Sequence, residues 1–212
     1  MSTLVEFEKD QNMSATQPVR RRDAGATREA ILASARLAFI RSGYDGAGVR
    51  EIAEGAGVTA MLVNRYFGSK ERLFADVVAE TMAAPGILTG EVTSQNRDLM
   101  TFGRDLATAL VAKTMPEVAP LDGFLIMLRS TSNERAAAIW REQIEQHYQK
   151  ALVALAPGAL AAERAALLLA LIMGFQVMRQ VVRVSALVEA DPAALSGLLA
   201  CIFQSLVHSD HR

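Results

Sequence analysis

Residues 59–70 read Thr-Ala-Met-Leu-Val-Asn-Arg-Tyr-Phe-Gly-Ser-Lys, with an amide, two cations and a phenol set among small and apolar side chains. On a helix, Thr59, Val63 and Phe67 fall at steps of four and are expected to face inward. Ala60, Met61, Asn64 and Arg65 lie mainly on the other side. The Asn64 amide can pair bidentately with an adenine edge, and Ala60 and Met61 can meet a thymine methyl. Arg50, Tyr66 and Lys70 are placed to touch phosphates on either side, contacts that set register rather than sequence. The set expected at nucleic acid is therefore Arg50, Thr59, Ala60, Met61, Asn64, Arg65, Tyr66 and Lys70. Asn64 also suits a plain surface position, and Tyr66 also suits packing on the preceding helix with only its hydroxyl outward.

Such a face needs a scaffold that presents a short helix to a groove. A helix-turn-helix supplies it when a small residue sits where the helices touch and a residue tolerant of positive φ sits in the turn. Ala53 and Gly57 have that spacing, and Ile52, Ala56, Val58 and Val63 are the apolar seal. The helices are expected at Val49–Gly55 and Thr59–Tyr66. Thr27 can cap an earlier helix carrying Ile31, Leu32, Ala35, Ala38 and Phe39, with Gly43 as its C′ residue. Ser69 can cap Lys70–Ala83, which Pro85–Gly86 ends.

Residues 24–75 resemble the DNA-binding head of the tetracycline-repressor (TetR) family of one-component bacterial regulators. The residues that carry the resemblance are Thr27, Ile31, Leu32, Ala35, Phe39, Gly43-Tyr44, Val49-Arg50-Glu51-Ile52-Ala53, Ala56-Gly57-Val58-Thr59 and Arg65-Tyr66-Phe67-Gly68-Ser69-Lys70-Glu71. Gly174-Phe175, Arg179 and Asp191-Pro192 are similar to one C-terminal subtype. The chain departs from the family pattern at Asn64, where Tyr is frequent and usually contacts DNA, and at Met61, where Gly is frequent. Ala47 and Gly48 replace the Thr or Ser that often precedes the second helix. The resemblance implies a repressor with a ligand-binding, dimerising helical domain, in which an effector alters head separation and weakens operator affinity. A ligand-independent activator or global regulator with the same head is the alternative within that class. A helical enzyme or scaffold is the alternative outside it.

The net charge of −1 conceals a segregation: residues 1–17 carry −2, residues 18–75 carry +4 and residues 76–212 carry −3. The basic segment is the one that holds the expected head. Hydrophobic residues make up 51% of the 212 positions, which excludes a wholly disordered chain. The domains are expected as a tail over 1–23, a head over 24–84 and an effector-binding and dimerisation domain over 85–212. Within the tail, Arg20–Arg22 reads either as an arm following phosphates or as a solubilising segment. Further helices are expected near Arg97–Thr114, Leu121–Ser130, Asn133–Leu155, Ala161–Ser185 and Pro192–Val207. No alternating strand pattern is present, so the expected fold class is all-α.

In the C-terminal part Phe102, Phe124, Met127, Trp140, His147, Met173 and Gln176 are candidates to line a pocket for a small apolar or amphipathic effector, though packing alone also accounts for such side chains. Phe175, Met178, Arg129 and Arg179 stand near them. The last two long apolar helices are expected to pair with their symmetry mates in a homodimer. Cys201 is the single cysteine, so no intrachain disulfide forms. Neither a metal site nor a cofactor is expected, and no phosphate loop, nucleophile elbow or HExxH pair suggests an enzyme. The longest apolar run, Ala165–Phe175, is short of the roughly 20 residues a membrane span needs. Met1–Asp10 is acidic and mixed rather than signal-like, so the cytoplasm is expected, with no membrane partner.

Overall fold

The computed structural model describes residues 24–88 and 98–208, and among these no strand occurs. The expected tail, Arg20–Arg22, most of the connecting segment and His211 lie outside the described residues. The helices are α1 (Ala24–Gly46), α2 (Val49–Gly55), α3 (Ala60–Phe67), α4 (Lys70–Ala83), α5 (Leu99–Lys113), α6 (Asp122–Ser130), α7 (Glu134–Ile144), α8 (Lys150–Leu155), α9 (Ala161–Gln176), α10 (Ser185–Val188) and α11 (Pro192–Val207). A π-helical segment, Glu145–Gln149, joins α7 to α8, and another, Val177–Val181, extends α9.

Gly43 ends the long first stretch of α1, as expected of a C′ glycine. It breaks the helix at φ 65°, ψ −173°, and the chain resumes as far as Gly46. Only glycine adopts this backbone readily. A Cβ here would stand 2.1 Å from the Arg129 carbonyl oxygen, so the break brings α1 directly against α6. The expected helix over 161–185 is also interrupted. Val182–Val184 is irregular, Arg183 has φ 58°, and Ser185 begins α10 instead.

The apolar residues form two cores. The first packs Ile31, Phe39, Tyr44, Ile52, Val63, Phe67 and Phe74 from α1–α4 together with Ile126, Ala136 and Trp140 from α6 and α7. Phe74 meets Phe39 and Tyr44 edge-on, with centroids 4.9 and 5.0 Å away, a favoured aromatic geometry. This core crosses residue 84 and ties the head to the body. The second core gathers Phe102, Leu106 and Leu110 of α5, Leu152 and Leu155 of α8, Leu168 and Ile172 of α9, and Leu199 and Phe203 of α11. Gln204 stitches α11 to α5, accepting from the Gly103 N–H at 3.2 Å and donating to the Leu99 carbonyl at 2.8 Å.

Two buried arginines serve helix ends rather than carboxylates. Arg164 donates to the carbonyls of Ala156 and Pro157 after α8 and of Leu206 and Val207 at the end of α11. Arg179 donates to the Val111 carbonyl at 3.0 Å and the Thr114 hydroxyl at 3.1 Å, where α5 terminates. Helix C-termini leave carbonyls unpaired and carry partial negative charge, so a cation there is doubly favoured.

Candidate nucleic-acid interface and ligand cavity

The α2–turn–α3 unit is fixed from below. Ser34 of α1 donates to the Ile52 carbonyl at 2.8 Å. The turn has Gly57 at φ 65°, and the Val58 N–H reaches the Ala53 carbonyl at 2.9 Å. The N-terminus of α2 has half of a capping box: the Glu51 carboxylate accepts from the Gly48 N–H at 3.4 Å, while glycine has no hydroxyl to complete it. Arg41 also hydrogen-bonds Glu51 and holds its carboxyl below the usual range, with the Gly48 N–H adding to the effect.

Val63 and Phe67 are buried and anchor α3, which leaves Met61, Asn64 and Arg65 exposed. Met61 is 79% accessible, a high value for an apolar side chain. Ala60 and Tyr66 are half-buried against the head core, and Arg50 is exposed on α2. Thr59 departs from the inward position expected of it. It is the N-cap, its hydroxyl accepts from the Leu62 N–H at 3.3 Å, and it is exposed, because the extended cap backbone carries the side chain over the helix end. Lys70 stands at the first position of α4, with Nζ 4.7 Å from the Tyr44 ring centre, and burial lowers its pKa. A cation is unfavourable at a helix N-terminus unless an anion also comes there.

Below the head, a cavity of about 340 Å³ opens between the end of α4, the segment 84–88, the start of α6, and α7 and α9. Phe124, Met127, Trp140, Met173 and Gln176 line it. Phe102 does not; it is wholly buried in the second core. His147 does not either and is exposed. In an unbroken α-helix His147 would return to the face of Trp140, seven residues earlier. The π-helical segment lengthens the turn, so Tyr148 takes that place. Burial raises the Tyr148 pKa.

Sequence reasoning missed Arg36, Thr81, Met82, Pro85, Ile87, Leu121, Asp122, Ile144, Leu169 and Ile172, which also line the cavity. Ile144 lay within reach of sequence, four residues after Trp140, and Leu169, Ile172, Met173 and Gln176 share helical spacing. Nothing local in the sequence assigns Arg36 of α1 to a cavity built from the far part of the chain. Its Nε lies 3.7 Å from an Asp122 carboxylate oxygen.

Helix α6 touches both places. Its first half, through Asp122–Phe124 and Met127, lines the cavity. At its other end the Ser130 hydroxyl accepts from the buried Tyr44 N–H at 3.0 Å, and Arg129 donates to the Ile40 carbonyl. Just beyond, Asn133 donates to Asp45 at 2.8 Å and Arg135 pairs with Glu71 at 2.8 Å.

Comparison with known proteins follows the same division. A family model for bacterial regulatory proteins of the tetR family matches residues 31–77. A model for the tetracyclin repressor-like C-terminal domain matches residues 101–207, half of the chain. The chain belongs to the TetR family. TetR-family members are DNA-binding transcriptional regulators and are not enzymes. The transcriptional regulatory protein RaaS of Mycobacterium tuberculosis is 33% identical over 110 residues, 50% of this chain and 47% of that protein. The transcriptional repressor AcnR of Corynebacterium glutamicum is 37% identical over 70 residues, 33% of this chain and 35% of that one. The chain thus matches about half and about a third of the lengths of these curated relatives. A TetR-family regulator from Streptomyces coelicolor superposes with TM-score 0.56 at 25% identity, covering 89% of this chain and 98% of the other. Among the described residues, no group of three His, Cys, Asp or Glu side chains could hold a metal ion.

Proposed function

We propose that this TetR-family protein is a cytoplasmic homodimeric repressor that a small, mostly apolar effector releases from a pseudo-palindromic operator. The observation that carries this reading is the reach of α6, one end of which walls the cavity while the other is hydrogen-bonded under the head. An effector that favours a different seating of α6 alters the position of α1 and, through it, of α3. The condition is that the effector binds the two seatings with different affinity.

In this reading Met61, Asn64 and Arg65 read bases, and Arg50, Thr59, Ala60, Tyr66 and Lys70 complete the contact surface. Ala60 is the half-buried edge of that face. The segment Ala161–Val181 is long and apolar enough to cross a membrane by length and composition, because the helix runs on past Gln176. Gln176 and Arg179 are buried on its inner side, and Leu167, Met178, Val181, Leu198 and Ile202 are exposed on α9, its extension and α11. So large an apolar surface calls for cover, and a second copy of α9 and α11 supplies it with twofold symmetry.

The test is selection of bound fragments from genomic DNA, followed by footprinting. The expected result is an enriched pseudo-palindrome, protected symmetrically with half-sites about one DNA turn (~34 Å) or more apart. Enrichment without dyad symmetry, or no enrichment at all, overturns the proposal.

A further inference from the structure

One cation of the head lines the cavity. Arg36 of α1 stands there beside Asp122, the first residue of α6, and apart from the Tyr148 phenol these two are the only ionisable groups among the lining residues. Much of the remaining wall is apolar, with Phe124, Ile144, Leu169 and Ile172 in it. The cavity is thus amphipathic, its charges gathered where α1 meets α6. The pair is also loose. Arg36 Nε lies 3.7 Å from the Asp122 oxygen, beyond hydrogen-bond distance, and has no hydrogen-bond partner. The two side chains keep 42% and 49% of their surface accessible, so an incoming group can reach either residue.

A loose pair admits a charged ligand at either partner, and the surroundings decide which. Asp122 sits in the first turn of α6, and Leu121 before it brings no side-chain cap. The helix N-terminus therefore favours this carboxylate whether or not Arg36 is near. Arg36 lies in the interior of α1, and Asp122 is its sole counter-charge among the lining residues. A ligand ammonium drawn to Asp122 would stand beside Arg36 and meet its repulsion with nothing to offset it. A ligand carboxylate offers the guanidinium two oxygens in the fork geometry that Asp122 does not reach. It meets the Asp122 charge at a helix end whose own partial charge offsets it.

We propose that the occupant is an amphipathic acid, whose apolar body fills the cavity and whose carboxylate takes Arg36 from Asp122. This rests on the reading of the cavity as the effector site, and names the chemistry that site selects. Shape and apolar area supply affinity, while the carboxylate supplies the choice among ligands of equal size. The ligand then touches the head itself. Arg36 lies two residues after Ser34, whose hydroxyl holds the Ile52 carbonyl of α2. Exchange of partners at Arg36 uncouples the first turn of α6 from α1.

The full-length protein should be titrated calorimetrically with matched carboxylates, primary amides and ammonium ions, each carried on an octyl chain, a naphthalene and a biphenyl. On the body that fits best, the carboxylate is expected to bind about tenfold more tightly than the amide or the ammonium. Arg36→Gln should lower carboxylate affinity about tenfold and leave amide affinity unchanged, which also shows that the variant keeps the cavity. Asp122→Asn should raise carboxylate affinity severalfold, because it removes the competing anion. Tightest binding of an ammonium, no preference for a carboxylate over its amide, or no binding by any of these compounds overturns the assignment. So does a carboxylate affinity that Arg36→Gln leaves unmoved or that Asp122→Asn fails to raise. DNA release is measured separately. A carboxylate that binds as described yet leaves the DNA complex intact refutes the effector reading alone. An amide or ammonium that fills this cavity in preference to the carboxylate and releases DNA refutes the acid alone.

Discussion

Asn64 and Lys70 lie close in sequence but in different surroundings. Asn64 is exposed on the outer face of α3, where an amide can distinguish one base edge from another. Lys70 sits against Tyr44 at the N-terminus of α4, where burial lowers its pKa and the Asp45 charge opposes that shift. Asn64→Ala is therefore expected to cost about 1–3 kcal/mol on the specific operator and little on random DNA. Lys70→Ala should weaken both alike and reduce the salt slope by about one. Affinity measured against ionic strength on both DNAs separates them, and equal losses for Asn64→Ala on the two would remove its assigned role. The exposure of Asn64 was legible in sequence because a short amphipathic helix exposes one face by periodicity alone. Thr59 was misread for orientation because its role as N-cap overrides the helical phase that Val63 and Phe67 obey.

At the scale of elements, α2, α4 and α11 begin and end where capping and breaking residues say they should, as Ser69 before α4 and Asp191-Pro192 before α11 illustrate. What sequence did not disclose is phase and seating. The π-helical segment after α7 exchanges His147 for Tyr148 at the cavity, and no residue type announces it. The break at Gly43 is likewise visible only as a glycine; its meaning comes from Arg129, distant in the chain. Gly43→Ala should destabilise the protein by about 1–3 kcal/mol from backbone strain alone, with the collision against α6 adding to it. Denaturant unfolding measures this, and a change within error would mean that the break is not required. Ser130→Ala leaves the buried Tyr44 N–H unpaired and should cost about 1–3 kcal/mol. If α6 carries the signal, the same variant also lowers the ratio of DNA affinities with and without effector. An unchanged ratio would place the coupling elsewhere.

At the scale of the molecule, residues 18–75 carry +4 while the segments before and after them are net acidic, so phosphate attraction is expected to favour the basic segment. The apolar surface of α9 and α11 should hold two such heads in fixed relation. The double variant Leu198→Glu, Ile202→Glu is expected to sediment as a monomer and to lose operator binding, while keeping its helical circular dichroism. A dimer persisting at micromolar concentration would move the interface to another face. The seam between head and body has an evolutionary consequence. A recombination joining this head to a foreign body at residue 84 would separate Gly43, Tyr44 and Asp45 from Arg129, Ser130 and Asn133, their counterparts across the seam. Exchange of operator preference between such regulators is thus simplest when the α6–α7 corner travels with the head, and harder when only the contiguous gene segment is moved.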